Sequence, residues 1–187
     1  MRNLFVVLIL ILVVPVLHGQ ARGRSSITRS EITFVSDAPL ERIIATNSRS
    51  TGLLDVGSRT FAVQIPVLEF QGFNAPLQRE HFNENYLETR TWPNASFQGR
   101  IIEAIDLALP GTHQVRAKGV FTIHGVGQER IVPCTLVIAE QGIRVTADLD
   151  VVLDDHGIRI PRVVQQKIAA VVQVKVDVVF TPEVGKP

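Results

Sequence analysis

Four stretches of this chain alternate apolar and polar residues with a period of two, and that period limits what it can fold into. "FAVQIPV", beginning at Phe61, places Phe61, Val63, Ile65 and Val67 on one face. "VRAKGVFTI" from Val115 sets Val115, Ala117, Gly119, Phe121 and Ile123 against Arg116, Lys118 and Thr122. "VTADLDVVL" from Val145 does the same with Val145, Ala147, Leu149, Val151 and Leu153. "VVQVKVDVVF" gives Val172, Val174, Val176, Val178 and Phe180. Successive side chains of a strand point to opposite faces, so each stretch predicts a strand with one buried face.

Further strands are expected at Glu31–Ser36, Leu40–Ala45, Ser50–Val56, Ser96–Ile105 and Arg130–Ile138. Turn signals at Leu109-Pro110-Gly111, Gly125-Val126-Gly127, Gln141-Gly142 and Asp155-His156-Gly157 separate several of them. Short connections favour antiparallel neighbours. Two segments break the alternation, and both begin with a proline suited to a first helical turn. Pro76–Thr91 predicts a helix carrying Leu77, Phe82 and Tyr86, and Pro161–Ala170 predicts a shorter one. The fold class is therefore all-β: one antiparallel sheet of eight or nine strands, curled on itself, with one or two short helices and no internal repeat.

The amino terminus addresses the compartment. Met1-Arg2-Asn3 is a short basic start, Leu4 to Leu17 is an apolar run interrupted only by Pro15, and small residues follow. These are the three regions of a secretory signal peptide, and the run is short for a bilayer span. Residues 1–19 are read as the signal, with cleavage after Gly19 or after Ala21, residues 20–29 as a flexible lead-in, and 30–187 as the folded domain. No integral membrane span is expected after cleavage. The chain has 19 basic and 18 acidic residues, and losing Arg2 with the signal leaves 18 of each. That balance argues against nucleic acid as a partner. Cys134 is the only cysteine, so no internal disulfide forms and the core must hold the domain together.

Alternation does not by itself say which way the apolar face points. An outer-membrane barrel needs two aromatic girdles, and one Trp, one Tyr and nine Phe, unevenly spread, do not supply them. The apolar face is expected inside. An eight-stranded barrel is filled by its side chains or holds one slender ligand. Gly99, Ala117, Gly119 and Ala147 on the inner face leave volume for a ligand, but glycines in strands also mark bends where a barrel closes. Both readings stay open on the residues alone.

The stretch "REHFNENYLETRTWPNASFQGRI", Arg79–Ile101, is the densest in polar chemistry. His81 and Glu84 share a helix face and make half of a metal site, but His113, His124 and His156 sit on other elements. Cys134 lies between Val132 and Leu136 on one strand face, where a thiol acts as a small hydrophobe. No serine stands in a Gly-x-Ser-x-Gly turn. The reading adopted is structural: Phe82 and Tyr86 press a helix onto the barrel mouth, and Trp92-Pro93 turns the chain into the next strand. Asn94-Ala95-Ser96 is taken as a turn before that strand.

The segments "ITFVSDAPLERIIATN" (Ile32–Asn47), "FAVQIPVLEFQGFNAPLQREHFNENYLET" (Phe61–Thr89), "WPNASFQGRI" (Trp92–Ile101), "GVFTIHGV" (Gly119–Val126) and "IRVTADLDVVLDDHGIRIP" (Ile143–Pro161) together resemble the YceI-like family of exported lipid-binding proteins. "HFNENYLE" resembles a Bacteroidetes-type branch of it, and Ala75 departs from the asparagine expected there. The resemblance implies an eight-stranded antiparallel, lipocalin-like barrel in a periplasmic or secreted protein of a Gram-negative bacterium. It also implies an apolar tunnel for a polyisoprenoid chain, and the role adopted on that basis is a non-enzymatic carrier. The implied partner is an apolar, lipid-like small molecule, an isoprenoid lipid or quinone, with no covalent cofactor and no metal; a dimer is left open. Strand parity then names the tunnel lining: Val63, Ile65, Phe97, Ile101, Ala117, Phe121, Leu136, Ala147, Leu149, Val174 and Val176. Phe82, Tyr86 and Trp92 are expected to guard the opening. Two rival readings remain: an envelope interaction module with a packed core and, less favoured, an enzyme or metal protein using the region around His81 and Glu84.

Overall fold

The computed structural model describes residues 23–183. Nine strands form one antiparallel sheet: β1 (Arg24–Asp37), β2 (Arg42–Asn47), β3 (Thr51–Asp55), β4 (Thr60–Pro66), β5 (Asn94–Ile101), β6 (Gly111–Ile123), β7 (Val126–Ala139), β8 (Gly142–Val152) and β9 (Val171–Pro182). From β3 onward each strand pairs with the next, and β9 returns to pair with β1 from Ser25↔Pro182 to Val35↔Gln173. β2 and β3 lie in tandem along the same side of β1, β2 on Ile32–Asp37 and β3 on Arg24–Ser26. They occupy one place in the ring, so the nine strands close an eight-stranded barrel.

The alternating stretches take the parity the sequence predicts. Arg116, Lys118, Asp148, Asp150, Gln173 and Lys175 are exposed, while their apolar neighbours face inward. β1 starts earlier than expected and overturns the flexible lead-in from Arg24 onward. Its alternation is hidden by a bulge at Thr28, where the register with β9 steps from Ile27↔Phe180 to Arg29↔Val179. An extra residue switches which parity faces inward. Ile27 lies opposite inward-facing Phe180, whereas Ser30 lies opposite inward-facing Val178. The proposed signal peptide, residues 1–19, lies outside the described residues.

Asn47, fully buried, fixes the break between β2 and β3. Its amide donates to the Pro66 carbonyl (2.7 Å), and its Oδ1 accepts from the Arg49 backbone N–H (2.8 Å) and the Ser50 hydroxyl (3.1 Å). The side chain thus ties this corner to the end of β4, and its own polar atoms are satisfied. Across the closing seam, Arg144 on β8 forks onto Asp177 on β9 (2.9 and 2.6 Å), and Arg29 on β1 reaches the same carboxylate at 3.3 Å.

Both helical expectations are shortened. The first helix, α1 (Pro76–His81), runs on as one wider turn, Phe82–Tyr86, and stops where Glu88 adopts φ 44°. Pro161–Ala170 holds only a single tight turn, Arg162–Val164. Its backbone groups are taken by neighbours instead. Gln166 O accepts from Leu40 N, Ala170 O accepts from Leu153 N, and Ala169 N donates to Ser36 Oγ. A short helix with a costly nucleus does not survive that competition. Asn94-Ala95-Ser96 belongs to β5 itself rather than to a turn before it.

Gly99 and Gly119 are direct cross-strand partners in β5 and β6. A Cβ on Gly119 would clash with the Gln98 carbonyl and lie 2.9 Å from Gly99 Cα. The pair therefore allows the two backbones to approach closely, and the cavity volume comes from other positions. Gly119→Ala is expected to destabilise the protein by about 2 kcal/mol or more through overpacking, seen as a lowered Tm. A second expectation concerns the seam. The Arg144 guanidinium hydrogen-bonded to Asp177 holds its carboxyl below the usual carboxylate range. A depressed folded-state pKa adds stability above the unfolded value and loses it as pH falls through the folded one. Asp177→Asn should therefore lower Tm at neutral pH, and the gap to the unaltered protein should close as pH drops below about 4.

Candidate functional site

The barrel interior contains two apolar chambers. The inner one, about 120 Å³, is walled by residues of β1 and β3–β9. All eleven barrel positions expected from parity face it: Val63, Ile65, Phe97, Ile101, Ala117, Phe121, Leu136, Ala147, Leu149, Val174 and Val176. Val63, Phe97, Ala147, Leu149, Val174 and Val176 point inward yet keep accessible surface. A core packed to normal density would remove that surface. A dry apolar cavity of about 150 Å³ accommodates a benzene-sized molecule, so the inner chamber is of ligand scale.

The outer chamber is about 490 Å³, within the size range of small-molecule pockets. It abuts the inner one at Ile32, Ile65, Phe121 and Val174, which line both. Phe121 stands at this waist. It is backed edge-to-face by His156, with ring centroids 5.6 Å apart. His156 is fully buried, and its Nδ1 lies 3.0 Å from the Val126 carbonyl. A carbonyl only accepts, so that nitrogen carries the proton. The Asp154–His156 turn that holds this ring ends on Gly157 at φ 70°. It is tied to β7 by Arg130 on the Asp155 carboxylate (2.9 Å) and by the Gln128 amide on the Asp155 carbonyl (2.7 Å).

Helix α1 and the turn after it cover the outer chamber. Phe82 stacks on Phe34 (5.3 Å, 14°) and meets Phe73 and Phe70 at 5.0 and 6.0 Å. This aromatic cluster clamps the helix to β1 and to the segment after β4. Tyr86 also lines the chamber, and burial raises its phenol pKa. Gln78 donates to Glu41 Oε1 (2.9 Å), and Asn74 donates to the Arg42 carbonyl (3.0 Å), tying the cover to the β1–β2 turn. The polar lining is confined to this end: Ser36, Glu41, Gln78, His81, Tyr86 and Lys167. The inner chamber has a single heteroatom side chain, Cys134. Burial pushes its thiol up to about 11, and its Sγ–H donates to the Val132 carbonyl (3.3 Å). At neutral pH it stays a thiol, a poor nucleophile.

Trp92 is placed differently from expectation. It lines neither chamber. Its ring lies over Gly125, at φ 72°, where a Cβ would sit 2.7 Å from the indole, and edge-on to His124 at 6.5 Å. It is 39 % exposed and braces the β6–β7 turn. The polar cluster around His81 also separates. His81 lines the mouth, whereas Glu84 reaches Arg90 at 4.0 Å. His124 and His156 do meet, with His124 Nδ1 3.3 Å from the His156 carbonyl, and Glu88 is 3.6 Å from His124 Nε2. Among the described residues, no three His, Cys, Asp or Glu side chains come together as metal ligands would. No helix among them is long and apolar enough to cross a membrane. Sequence reasoning missed Phe34, Phe70, Phe73 and His156, and only the spacing of Phe70, Phe73 and Phe82 around the helix start hinted at an aromatic cluster.

Solved structures share this architecture. A polyisoprenoid binding domain from Saccharophagus degradans implicated in plant cell wall breakdown superposes with a TM-score of 0.72 at 14% identity, covering 86% of this chain and 98% of that one. Burkholderia cenocepacia BcnA gives 0.67 at 17% identity, covering 80% and 95%. The Campylobacter jejuni YceI protein gives 0.54 at 12% identity, covering 70% and 78%. At these identities the likeness concerns the fold. No curated protein sequence matches the chain. The sequence profile of the YceI-like domain matches residues 16–180, nearly the whole of the barrel just described, and the chain belongs to the YceI-like family.

Proposed function

We propose that this protein binds a long isoprenoid chain, of the quinone or polyprenyl class, as an exported carrier or sequestering protein that performs no catalysis. The observation that carries this reading is the division of the interior: a wholly apolar inner chamber, with polar groups gathered only at the outer end. An isoprenoid tail fits the first and a polar head group the second. The tail runs past Phe121 into the space between Ala147, Leu149, Val174 and Val176. The head lies near Glu41, Gln78, His81 and Lys167, beneath the cover formed by Phe82 and Tyr86. Each buried methylene contributes about 0.8 kcal/mol, from which the cost of ordering a flexible chain is subtracted. The printed description of the Saccharophagus degradans relative, a polyisoprenoid binding domain, supports the ligand class. The basic start and the apolar run from Leu4 to Leu17 support export to the periplasm or beyond.

Chain length tests this reading. Ala147 faces the inner chamber opposite Cys134. Ala147→Phe should fill that space. Geranylgeraniol binding is expected to weaken by about tenfold or more, while geraniol, short enough for the outer chamber, binds as before. Titration with both alcohols checks this. Equal loss for both, or loss for neither, contradicts tail-first binding in the inner chamber.

A further inference from the structure

The rim of the outer chamber carries large apolar side chains turned to solvent. Leu40 is 67 % exposed, Leu77 57 % and Val163 91 %. They come from three different elements: the β1–β2 turn, α1, and the segment between β8 and β9. Each borders the same opening. Leu77 itself lines the chamber, Val163 precedes the lining residue Val164, and Leu40 precedes Glu41 and donates its N–H to Gln166 O, one residue before the lining residue Lys167. Ile158, Val164 and Ile168 from the same β8–β9 segment turn inward, so Val163 is outward against the local trend. Exposed apolar groups collected around an apolar opening mark a surface that meets something apolar.

The charge on this rim says what. Between Asp155 and Asp177 the chain has no carboxylate and four basic residues, of which Arg159, Arg162 and Lys167, all exposed, lie on the segment between β8 and β9. None of these three takes part in an ion pair among the described residues. The facing side of the rim carries the carboxylates Asp37 and Glu41 on the β1–β2 turn, Glu80 on α1 and Glu84 after it, the last 4.0 Å from Arg90, so the unpaired cations are concentrated on the β8–β9 side of the opening. Free basic side chains beside protruding leucine and valine match an anionic lipid surface, where the cations meet head groups and the apolar tips enter the acyl boundary. We propose that this end of the barrel docks on an anionic bilayer, so that an apolar ligand passes between membrane and chamber without crossing water. The inference rests on the apolar-ligand reading for its purpose, but not for its test.

Sedimentation of the purified protein with vesicles tests the docking, using phosphatidylglycerol–phosphatidylethanolamine against phosphatidylcholine alone. Binding to the anionic vesicles, weakened by salt, is expected. Leu40→Asp with Val163→Asp should lower it by about tenfold or more, and Arg159→Gln with Arg162→Gln by a similar factor. None of these four side chains lines a chamber, so geranylgeraniol binding in solution should not change. Failure of the unaltered protein to bind anionic vesicles, or unchanged binding by both double variants, overturns the proposal. Vesicle binding without geranylgeraniol binding would uphold docking and remove the isoprenoid reading. Geranylgeraniol binding without vesicle binding would do the reverse.

Discussion

The pairing of β1 with β9 turns an open sheet into a ring, and everything else in this protein follows from that closure. Without it the sheet would present two unpaired edges and an apolar face to water. With it, the apolar face turns away from bulk solvent, and the interior volume is set by the number of strands rather than by the side chains available to fill it. The seam is held by backbone ladders on both sides of β9 and by Asp177, which Arg144 and Arg29 share across three strands. The residues facing the inner chamber are Val, Ala, Leu, Ile and Phe together with Cys134, and they leave about 120 Å³ unfilled. A hollow results from geometry and composition together.

The two ends of that hollow are built differently. At one end lies the inner chamber, walled by aliphatic and aromatic side chains and Cys134, with Phe121 between it and the outer one. Toward the other, four phenylalanines anchor a short helical cover, and polar groups appear only there. The charged lining groups, Glu41 and Lys167, are thus confined to the outer chamber, and the inner one has none.

Much of this was legible in the chain, because a period of two leaves little freedom once one face is known to be buried. The parity of β4, β6, β8 and β9 named the inner wall, and Phe82 and Tyr86 at the mouth followed from helical spacing. What escaped did so for identifiable reasons. The bulge at Thr28 reverses parity within β1, so Ser25, Ile27 and Ser30 read as a polar tail. The Pro161–Ala170 segment has helical composition, yet its backbone is bonded to other elements, which no local pattern reveals. Trp92 was assigned to the mouth by its neighbours in sequence, whereas Gly125, on a distant turn, supplies its seat. Phe34, Phe70 and Phe73 come from separate elements and meet only in the fold. His156 looked like an ordinary turn residue because its role, backing Phe121, depends on a contact across the sheet.

The central claim is that the barrel is hollow in order to hold an isoprenoid chain, and the most direct measurement is native mass spectrometry of protein purified from the organism that makes it. The account predicts a single extra mass at one per chain, lost on denaturation and identified after solvent extraction as an isoprenoid with a polar head. Protein at its bare mass, unchanged after incubation with quinones and polyprenols, would contradict it.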